Sequence, residues 1–383
     1  MKRRHAITTA IVVLVLAVLI YFQVRHWRNF DWHQFLVQTR GVNPVGILIG
    51  IALTYFAYVL RAARWMIFLR PTKDVPFRRL IAPQFIGFTG LALLGRPGEF
   101  VRPYLIARQE KLTFSSQLAA WVVERVFDLC SVALLFGVSL AVAVHYGRYA
   151  GFPQVKNAGY AMVGLSICLA SLMFSVWWQT EFIANLVEKL LRPISHKFAD
   201  AVCTKLRAFG EGLHTLQDVK AFFMVLVISL VLWLSIAQAY ISVLHSYPTR
   251  TVAVQHYDES GGAVAPFVGS TVRLHEMSLP DVLLVMGASM VGSVAQLPGV
   301  GGGSQLAVVS LLSSRIFASE PYNIGPELAL SCGMMLWLVT FMSVIPAGLV
   351  LAHFNRISLR AVSEESEEVA EEEIAHPHLH EQG

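Results

Sequence analysis

Apolar segments of membrane-spanning length recur along this chain of 383 residues. A helix needs about 20 apolar residues to cross a hydrocarbon core of about 30 Å. Hydrophobic residues make up 55% of the sequence and charged residues only 14%, which excludes an ordinary soluble protein. Six segments are predicted to cross a membrane as helices: 6–24, 45–69, 115–146, 157–179, 219–246 and 327–353.

Two further apolar regions are too irregular to be simple spans. In residues 80–98 the apolar run, 80–95, is short and is interrupted by Pro83 and three glycines. Residues 280–317 contain two apolar halves around QLPGVGGGSQ. Non-helical backbone at membrane depth must be buried in protein or line a wet cavity. Both regions are therefore predicted to form re-entrant hairpins. For the second region, two full spans joined by a glycine-rich turn are the alternative, which would give eight spans.

The distribution of Lys and Arg predicts the orientation of the spans, because short cytoplasmic loops carry the excess of these residues. With the N-terminus inside and hairpins that return to their own side, 21 of the 30 Lys and Arg residues fall on inside segments, which include 61–111. The predicted fold is an all-α polytopic bundle with both termini in the cytoplasm. Its first hairpin opens to the inside and its second to the outside, an arrangement typical of transporters with a site near the midplane.

Three segments outside the spans complete the predicted organisation. Residues 181–217 have apolar residues at helical spacing, are broken at Pro193, and are predicted to lie on the inner membrane surface as an amphipathic helix. Residues 247–278 are polar and are predicted to form an irregular external loop. Residues 361–383 carry eight Glu and no Lys or Arg, which predicts an acidic, disordered cytoplasmic tail. The rest of the chain, 1–360, is predicted to be one membrane domain, and its basic charge favours anionic lipid headgroups over nucleic acid.

The first group of candidate site residues follows the first hairpin, in GRPGEFVRP at 95–103. Arg96 and Arg102 are predicted to contact phosphate, because a planar guanidinium donates two parallel hydrogen bonds to it. Gly98 allows the backbone to approach a partner closely, and Glu99 adds a negative charge at the membrane face. An anchor that reaches lipid headgroups without binding them specifically is the alternative.

The second group lies inside the third predicted span, in WVVERVFDL at 121–129. Glu124 and Asp128 are four residues apart and share a helix face, and Arg125 is three residues from Asp128 and can pair with it. Ionisable groups in a membrane helix are costly and face the bundle interior or water. The group is predicted to form a headgroup site or a proton relay, with a structural ion-pair network as the alternative.

The third group belongs to the second hairpin, in LPGVGGGSQ at 297–305. Glycine permits close backbone approach, and N–H groups at the start of the next helix, near Ser304, can face an anion. No Lys-Ser/Thr pair follows, so this is not a Walker A loop. A plain tight turn between helices is the alternative. The candidate residues are Pro298, Gly301, Gly302, Gly303 and Gln305.

These motifs resemble those of the lysylphosphatidylglycerol synthase transmembrane region family, also called flippase-like. The resemblance rests on GRPGEFVRPYLIARQEKLTFSSQLAAWVVERVFDL at 95–129, which combines GE-x-x-RP with ER-x-x-D, and on LPGVGGGSQ downstream. It extends over most of 45–353. It implies an inner-membrane protein of bacterial or archaeal type whose relatives move aminoacylated phospholipid between leaflets. The residues carried over by motif position are Arg96, Gly98, Glu99, Arg102, Pro103, Glu124, Arg125, Asp128 and Pro298.

Two departures from the family pattern narrow what the resemblance implies. Gln305 stands where the family often has an acidic residue, so a mechanism that needs a carboxylate there is not expected. Only the Glu-rich tail follows the membrane region, so the soluble aminoacyl-transferase domain of the synthases, and synthase activity, are not expected either.

The sequence therefore predicts a lipid flippase or lipid-binding transporter of the cytoplasmic membrane. Its substrate is expected to be an anionic phospholipid or a polyprenyl-phosphate-linked lipid, with Arg96 and Arg102 on phosphate and Glu124 or Asp128 on an amine or a proton. No catalytic, metal or cofactor motif is evident, and without a nucleotide-binding motif transport is expected to be downhill, gradient-driven or coupled to a partner. The alternative is an accessory subunit or embedded enzyme that presents lipid to a separate glycosyl- or aminoacyl-transferase.

Overall fold

The computed structural model describes most of the predicted membrane domain. The described residues form a helical bundle with two small β-hairpins in its connecting segments. The predicted span 6–24, the part of the predicted surface helix after Arg192, Pro298 and the acidic tail 361–383 lie outside the described residues. The structure describes residues 32–149, 151–192, 219–254, 267–293, 296–297, 301–318 and 322–355.

Four helices form the N-terminal part of the described chain. They are α1 (Trp32–Thr39), α2 (Pro44–Leu69), α3 (Phe77–Leu94) and α4 (Val101–Glu110). The start of α2 is well capped, since the Asn43 side chain accepts a hydrogen bond from the Val45 N–H at 2.9 Å. Pro44 occupies the first turn of α2, where its missing N–H costs nothing. A 3-10 turn at Arg96–Glu99 links α3 to α4.

Three long helices follow. They are α5 (Phe114–His145), α6 (Pro153–Leu191) and α7 (Val219–His245). Helix α6 contains the predicted span 157–179 and continues without a break through residues 181–191. This part of the predicted surface helix therefore continues the preceding helix instead of forming a separate one. The helix ends two residues before Pro193, in keeping with the inability of proline to continue a helix.

The C-terminal part combines short strands with four helices. The elements are β1 (Arg250–Val254), β2 (Phe267–Val272), α8 (Leu279–Gly292), β3 (Gln296–Leu297), β4 (Gly301–Gly302), α9 (Gly303–Leu312), α10 (Pro326–Trp337) and α11 (Val344–Phe354). Strands β1 and β2 pair antiparallel, so the predicted irregular loop contains ordered strands. Strands β3 and β4 also pair antiparallel and bring α8 and α9 together. A π-helical turn at Leu338–Met342 joins α10 to α11.

Among the described residues, four apolar helices are long enough to cross a membrane. They are α2, α5, α7 and the continuous stretch Pro326–Phe354 that contains α10 and α11. The shortest of them has 26 residues, which corresponds to about 39 Å at about 1.5 Å per residue. These helices coincide with four of the six predicted spans and confirm them as membrane-capable helices.

The region predicted as the first hairpin, 80–98, forms most of α3 and the turn into α4, and we call the pair α3–α4 the first hairpin. The backbone stays helical through Pro83, Gly87 and Gly90, so the prediction that these residues interrupt the helix is wrong. The glycines serve packing instead, because a Cβ on Gly87 would lie 2.5 Å from the Cβ of Arg102 on α4. The chain turns at Gly95, whose φ of +73° favours glycine. A Cβ on Gly98 would collide with the Gly90 backbone, which allows the turn to lie directly on α3.

The region predicted as the second hairpin, 280–317, contains the helix pair α8–α9, which we call the second hairpin. Helix α8 has 14 residues and α9 has 10, which correspond to about 21 Å and 15 Å at about 1.5 Å per residue. Both helices are shorter than the hydrocarbon core of about 30 Å. A Cβ on Gly292 would collide with the Gly303 backbone, so this glycine lets the two helices meet closely.

The long helices and the hairpins pack around a shared interior. Helix α2 packs against α7, α5 packs against α6, and α11 packs against α3. The contact of α11 with α3 is close at Gly348, which faces Thr89. The polar face of α2 is thereby enclosed by α5, α7 and the first hairpin, and this interior holds the candidate site.

Candidate functional site

Helix α2 brings two arginines into the bundle interior. Arg61 and Arg64 are three residues apart, so they share one face of the helix. Arg64 is completely buried and Arg61 is 6% exposed. Tyr58 and Thr54 continue the same buried face toward the N-terminus of α2. An apolar helix of 26 residues thus presents two cations to its neighbours instead of to the membrane surface.

Helix α5 supplies the two carboxylates that meet these arginines. Glu124 and Asp128 are buried on one face, as predicted from their spacing. Arg61 Nη1 lies 3.1 Å from Glu124 Oε1 and 3.1 Å from Asp128 Oδ2. Arg64 reaches the same pair, with Nη2 at 2.5 Å from Glu124 Oε1 and Nη1 at 2.7 Å from Asp128 Oδ1. Each arginine therefore bridges both carboxylates.

The first hairpin adds a third arginine to this group. Arg102 on α4 places Nη2 at 2.5 Å from Glu124 Oε2 and Nη1 at 3.1 Å from Oε1, a bidentate pair. Its Nη1 also donates to Gln84 Oε1 at 3.0 Å. The predicted phosphate contact Arg102 is thus already engaged by a carboxylate. The second predicted contact, Arg96, begins the 3-10 turn at the hairpin tip.

Arg125 completes what we call the arginine–carboxylate cluster. Its Nη2 lies 3.3 Å from Asp128 Oδ2, which is the predicted i,i+3 pair, and 3.4 Å from Glu124 Oε1. Its side chain is 41% exposed. The cluster consists of Arg61, Arg64, Arg102, Arg125, Glu124 and Asp128.

Neutral side chains fix the geometry of the cluster. Trp233 on α7 donates its Nε1–H to Asp128 Oδ1 at 3.0 Å. Ser229, one turn earlier, accepts a hydrogen bond from Arg64 Nη1 at 2.7 Å. The Arg102 guanidinium lies 4.4 Å from the centre of the Trp65 ring, within the range of a cation–π contact. Three transmembrane helices and the first hairpin are therefore tied together at one level of the bundle.

The charges in the cluster do not cancel. Four guanidinium groups face two carboxylates, which gives a formal charge of +2. Burying charge in a low-dielectric interior is costly unless the charges are paired. The cluster therefore has enough arginine to hold its own carboxylates and to attract an additional anion.

Two spaces adjoin the cluster. A small opening of about 60 Å³ lies between the first hairpin and α5, where Glu99, Arg102 and Arg125 line it. The central cavity, of about 220 Å³, has Arg61 in its wall. Phe88 lines both spaces, and its ring lies over the guanidinium groups of Arg61 and Arg102 at 5.1 and 5.4 Å.

The second hairpin reaches the same central cavity through its closed end. Ser293 of the turn after α8 and Ser304 of α9 line it. The Gln305 side-chain carbonyl accepts a hydrogen bond from the Gly302 N–H and so caps α9. Gly301, Gly302 and Gly303 form β4 and the start of α9. The glycine motif thus supports the cavity wall, and Gln305 acts as a capping residue.

A second ion cluster surrounds Asp281, near the C-terminal end of α5 and the N-terminal end of α8. This carboxylate is completely buried and accepts hydrogen bonds from Tyr149, from Tyr322 at 2.7 Å and from Ser278 Oγ at 2.6 Å, and it pairs with Arg148 at 2.6 Å. Burial, together with Asp281, raises the pKa of the Tyr149 phenol, so it remains a donor. We call these residues the Asp281 cluster; its formal charge is zero.

Comparison with known families adds an independent observation. A family model described as the Lysylphosphatidylglycerol synthase TM region matches residues 7–272, more than half of the chain. The chain belongs to this family. As a Lysylphosphatidylglycerol synthase TM region protein, it is a multi-pass membrane protein involved in lipid handling. Searches of curated proteins and of solved structures found no match.

The range of the Lysylphosphatidylglycerol synthase TM region match differs from the range of the motif resemblance. It begins at residue 7 and includes every member of the arginine–carboxylate cluster. It ends at residue 272, before the glycine motif at 297–305. The family match therefore covers the residues of the cluster and of helices α3 and α4, and it does not extend to α8 and α9.

Sequence reasoning missed half of the arginines in the cluster. Arg61 and Arg64 were counted with the inside loop, although they follow Pro44 within one apolar helix. The available signal was the occurrence of two arginines three residues apart in a helix that faces hydrocarbon. Ser229 and Trp233 carried no comparable signal, because serine and tryptophan are common in membrane helices that bind nothing.

Proposed function

We propose that this protein translocates an anionic lipid and that the arginine–carboxylate cluster binds the lipid phosphate. The substrate class is an anionic phospholipid or a polyprenyl-phosphate-linked lipid. The observation that carries the proposal is the excess of two arginines over carboxylates inside a bundle of membrane-capable helices. Membership of a family of lipid-handling membrane proteins supports the same substrate class.

The charge excess favours ligand binding over a purely structural role. A charged side chain at the centre of a membrane helix costs about 2.5–3.5 kcal/mol even on the least costly scale. A purely structural ion network would offset this cost best with equal numbers of positive and negative groups, and this cluster does not have them. A lipid phosphate that enters the cluster supplies negative charge and accepts the paired donors of guanidinium groups.

Both spaces beside the cluster have arginine in their walls. Arg61 faces the central cavity, and Arg102 and Arg125 face the small opening. Phe88 lines both spaces, and a phosphate that moves between them stays within reach of arginine. We therefore place the translocation route past Phe88, with the lipid chains remaining in the membrane.

The carboxylates have a different role from the one expected from the sequence. Glu124 lies within 3.4 Å of a nitrogen atom of each of the four arginines. Asp128 is surrounded by Arg61, Arg64 and Arg125 and accepts from Trp233. Both carboxylates therefore position arginines, and neither offers an amine a site free of positive charge.

The proposed topology places the protein in the cytoplasmic membrane with both termini inside. The two helix pairs are re-entrant hairpins, the first opening to the inside and the second to the outside. Arg61, Arg64 and Arg102 belong to the cluster and not to loops, yet the other inside Lys and Arg residues still outnumber the eight outside. The protein acts as a transporter and not as an enzyme, without a cofactor.

A liposome scrambling assay tests the proposal. Purified full-length protein is reconstituted, and exposure of tail-labelled phosphatidylglycerol is measured against empty liposomes. Arg125→Gln removes one excess charge while three arginines still hold the carboxylates, and we expect the rate to fall by about tenfold, equivalent to about 1.4 kcal/mol. Arg273→Gln, in an exposed pair with Glu276 at 3.3 Å, is the matched control and should keep the wild-type rate.

Two results would decide against this function. Equal rates for wild-type protein, Arg125→Gln and empty liposomes would contradict lipid translocation. Copurification with a glycosyl- or aminoacyl-transferase, together with no scrambling by the isolated chain, would favour the alternative of an accessory subunit that presents lipid.

A further inference from the structure

Most residues that line the central cavity do not belong to the arginine–carboxylate cluster. The cavity volume of about 220 Å³ matches roughly seven water molecules at about 30 Å³ each, which is the scale of a headgroup and not of a whole lipid. Arg61 contributes to the wall from the cluster, and Phe88 and Trp233 contribute aromatic surface. Most of the remaining polar groups are hydroxyls.

Seven hydroxyl-bearing side chains line this cavity. They come from α2, from α7, from both limbs of the second hairpin and from the π-helical turn. The residues are Thr54, Tyr58, Tyr240, Ser289, Ser293, Ser304 and Thr340. Among the described lining residues, none is a carboxylate and only Arg61 is charged.

The hydrogen bonds of these hydroxyls leave acceptor capacity for a ligand. Thr54 donates to the Gly50 carbonyl at 2.9 Å, Ser293 to the Met290 carbonyl at 2.7 Å, and Thr340 to the Leu336 carbonyl at 2.8 Å. A hydroxyl has one donor and two lone pairs, so each of these side chains still has lone pairs to offer. The ligand that complements them carries several hydroxyl donors of its own.

Ser304 points to a ligand most directly. It is 6% exposed and lines the cavity, and its Oγ has no hydrogen-bond partner among the residues that the structure describes. A buried hydroxyl without a partner costs about 1–3 kcal/mol. Ser304 also lies in the first turn of α9, a helix of 10 residues, where free N–H groups and the helix dipole favour negative charge. A ligand with a hydroxyl next to an anionic group satisfies both features.

The charge of the wall excludes a cationic headgroup. Arg61, the positive cluster behind it and the N-terminal end of α9 all disfavour an ammonium group. The nearest carboxylates, Glu124 and Asp128, are enclosed by arginines. The charge of the wall and its hydroxyl groups therefore both favour an anionic ligand that carries hydroxyls.

We infer that the central cavity binds the polyol part of an anionic headgroup, either phosphoglycerol or a phosphosugar, and rejects headgroups that carry an ammonium group. This inference rests on the proposed function, because it assigns the phosphate of the same ligand to Arg61. Ser304 and the hydroxyls of α2, α8 and the π-helical turn pair with the polyol, and Trp233 and Phe88 cover its C–H faces.

A binding experiment tests the inference without requiring transport. Detergent-solubilised full-length protein is titrated by calorimetry with short-chain phosphatidylglycerol, phosphatidylinositol, phosphatidic acid and lysyl-phosphatidylglycerol. Phosphatidylglycerol and phosphatidylinositol distinguish a glycerol from a sugar ring, and phosphatidic acid carries phosphate without a polyol. We expect one of the first two lipids to bind at least about tenfold more tightly than lysyl-phosphatidylglycerol.

A serine substitution isolates the contribution of the polyol. Ser304→Ala should weaken binding of the preferred polyol lipid by about fivefold and leave binding of phosphatidic acid unchanged. Ser131→Ala is the matched control, because Ser131 is also buried and its Oγ also lacks a hydrogen-bond partner within the described part of the chain, but it does not line the cavity. Its affinity for every lipid should match that of the wild type.

The outcomes separate this inference from the proposed function. Selective polyol binding that Ser304→Ala weakens, without scrambling in liposomes, would support the cavity assignment and overturn translocation. Scrambling together with equal affinity for lysyl-phosphatidylglycerol, or with no effect of Ser304→Ala, would overturn the cavity assignment alone. Absence of binding by all four lipids would overturn the inference outright.

Discussion

The arginine–carboxylate cluster and the Asp281 cluster are both buried ion networks, but they differ in charge balance. In the Asp281 cluster one carboxylate meets one arginine, and Tyr149, Tyr322 and Ser278 satisfy its remaining acceptor sites. In the arginine–carboxylate cluster four guanidinium groups share two carboxylates. The Asp281 cluster is therefore electrically neutral, whereas the arginine–carboxylate cluster carries a formal charge of +2.

The surroundings of the two clusters differ in the same way. Arg148 lies beside an apolar groove of about 710 Å³, whose lining offers few polar partners. The arginine–carboxylate cluster adjoins a cavity with seven hydroxyls and an opening lined by two arginines and Glu99. Burial and ion pairing alone therefore do not distinguish a binding site from a structural staple. The distinguishing features are an uncompensated charge and a polar space that reaches it.

The largest effect is expected from Glu124→Gln. This substitution removes the acceptor shared by four arginines and leaves buried cations unpaired, so the free energy of unfolding should fall by about 3–5 kcal/mol. Unfolding in mixed detergent measures the change. Glu276→Gln, in an exposed pair, is the control and should cost almost nothing. A Glu124→Gln protein as stable as the wild type would show that the cluster does not hold the bundle together.

Asp281→Asn should separate stability from transport. The amide cannot accept from all of the surrounding donors, so the free energy of unfolding should fall by about 1–3 kcal/mol. The scrambling rate per folded molecule should remain at the wild-type value, because the charge-balanced cluster binds no lipid phosphate. A loss of scrambling without a loss of stability would remove the distinction between the two clusters.

Arginine-to-lysine substitutions compare the two clusters through their cations instead of their carboxylates. Arg61→Lys keeps the charge but loses the planar guanidinium that lines the cavity while its Nη1 holds both Glu124 and Asp128, so scrambling should slow by about tenfold. Arg148→Lys makes the same chemical change at the Asp281 cluster and should leave the rate unchanged. Equal slowing in both variants would mean that the effect comes from packing and not from lipid binding.

The smallest effect is expected from Gln305→Ala. Loss of the helix cap on Gly302 should cost about 1 kcal/mol of folding free energy, as for other N-terminal caps. The scrambling rate should stay within about twofold of the wild-type rate, because the substitution lowers only the folding free energy and removes no ligand contact. A decrease as large as that of Arg61→Lys would instead place Gln305 in contact with the lipid.

The sequence predicts the helical membrane fold and part of the candidate site, and the reasons are physical. Hydropathy over about 20 residues locates spans reliably, which is why α2, α5, α7 and the Pro326–Phe354 stretch were found. The spacing of Glu124 and Asp128 fixes them on one helix face, and burial in the bundle follows from the cost of exposing them to lipid.

What sequence reasoning could not supply was contact between distant segments. The pairing of Arg102 with Glu124 depends on how α4 folds back on α3, and no local pattern encodes it. For the same reason Gly87 and Gly90 were interpreted as helix breaks, although they make room for α4. The charge excess of the cluster becomes visible only when Arg61 and Arg102 are placed around the same carboxylate.

The most direct test of the central claim is an experimental structure of the protein in nanodiscs that contain phosphatidylglycerol. If the arginine–carboxylate cluster binds lipid phosphate, a phosphate group will lie between the small opening and the central cavity, with oxygen atoms about 2.7–2.9 Å from a guanidinium nitrogen of Arg61 or Arg125. Ordered phosphates confined to the surface, with the cluster in contact only with its own carboxylates, would contradict the claim.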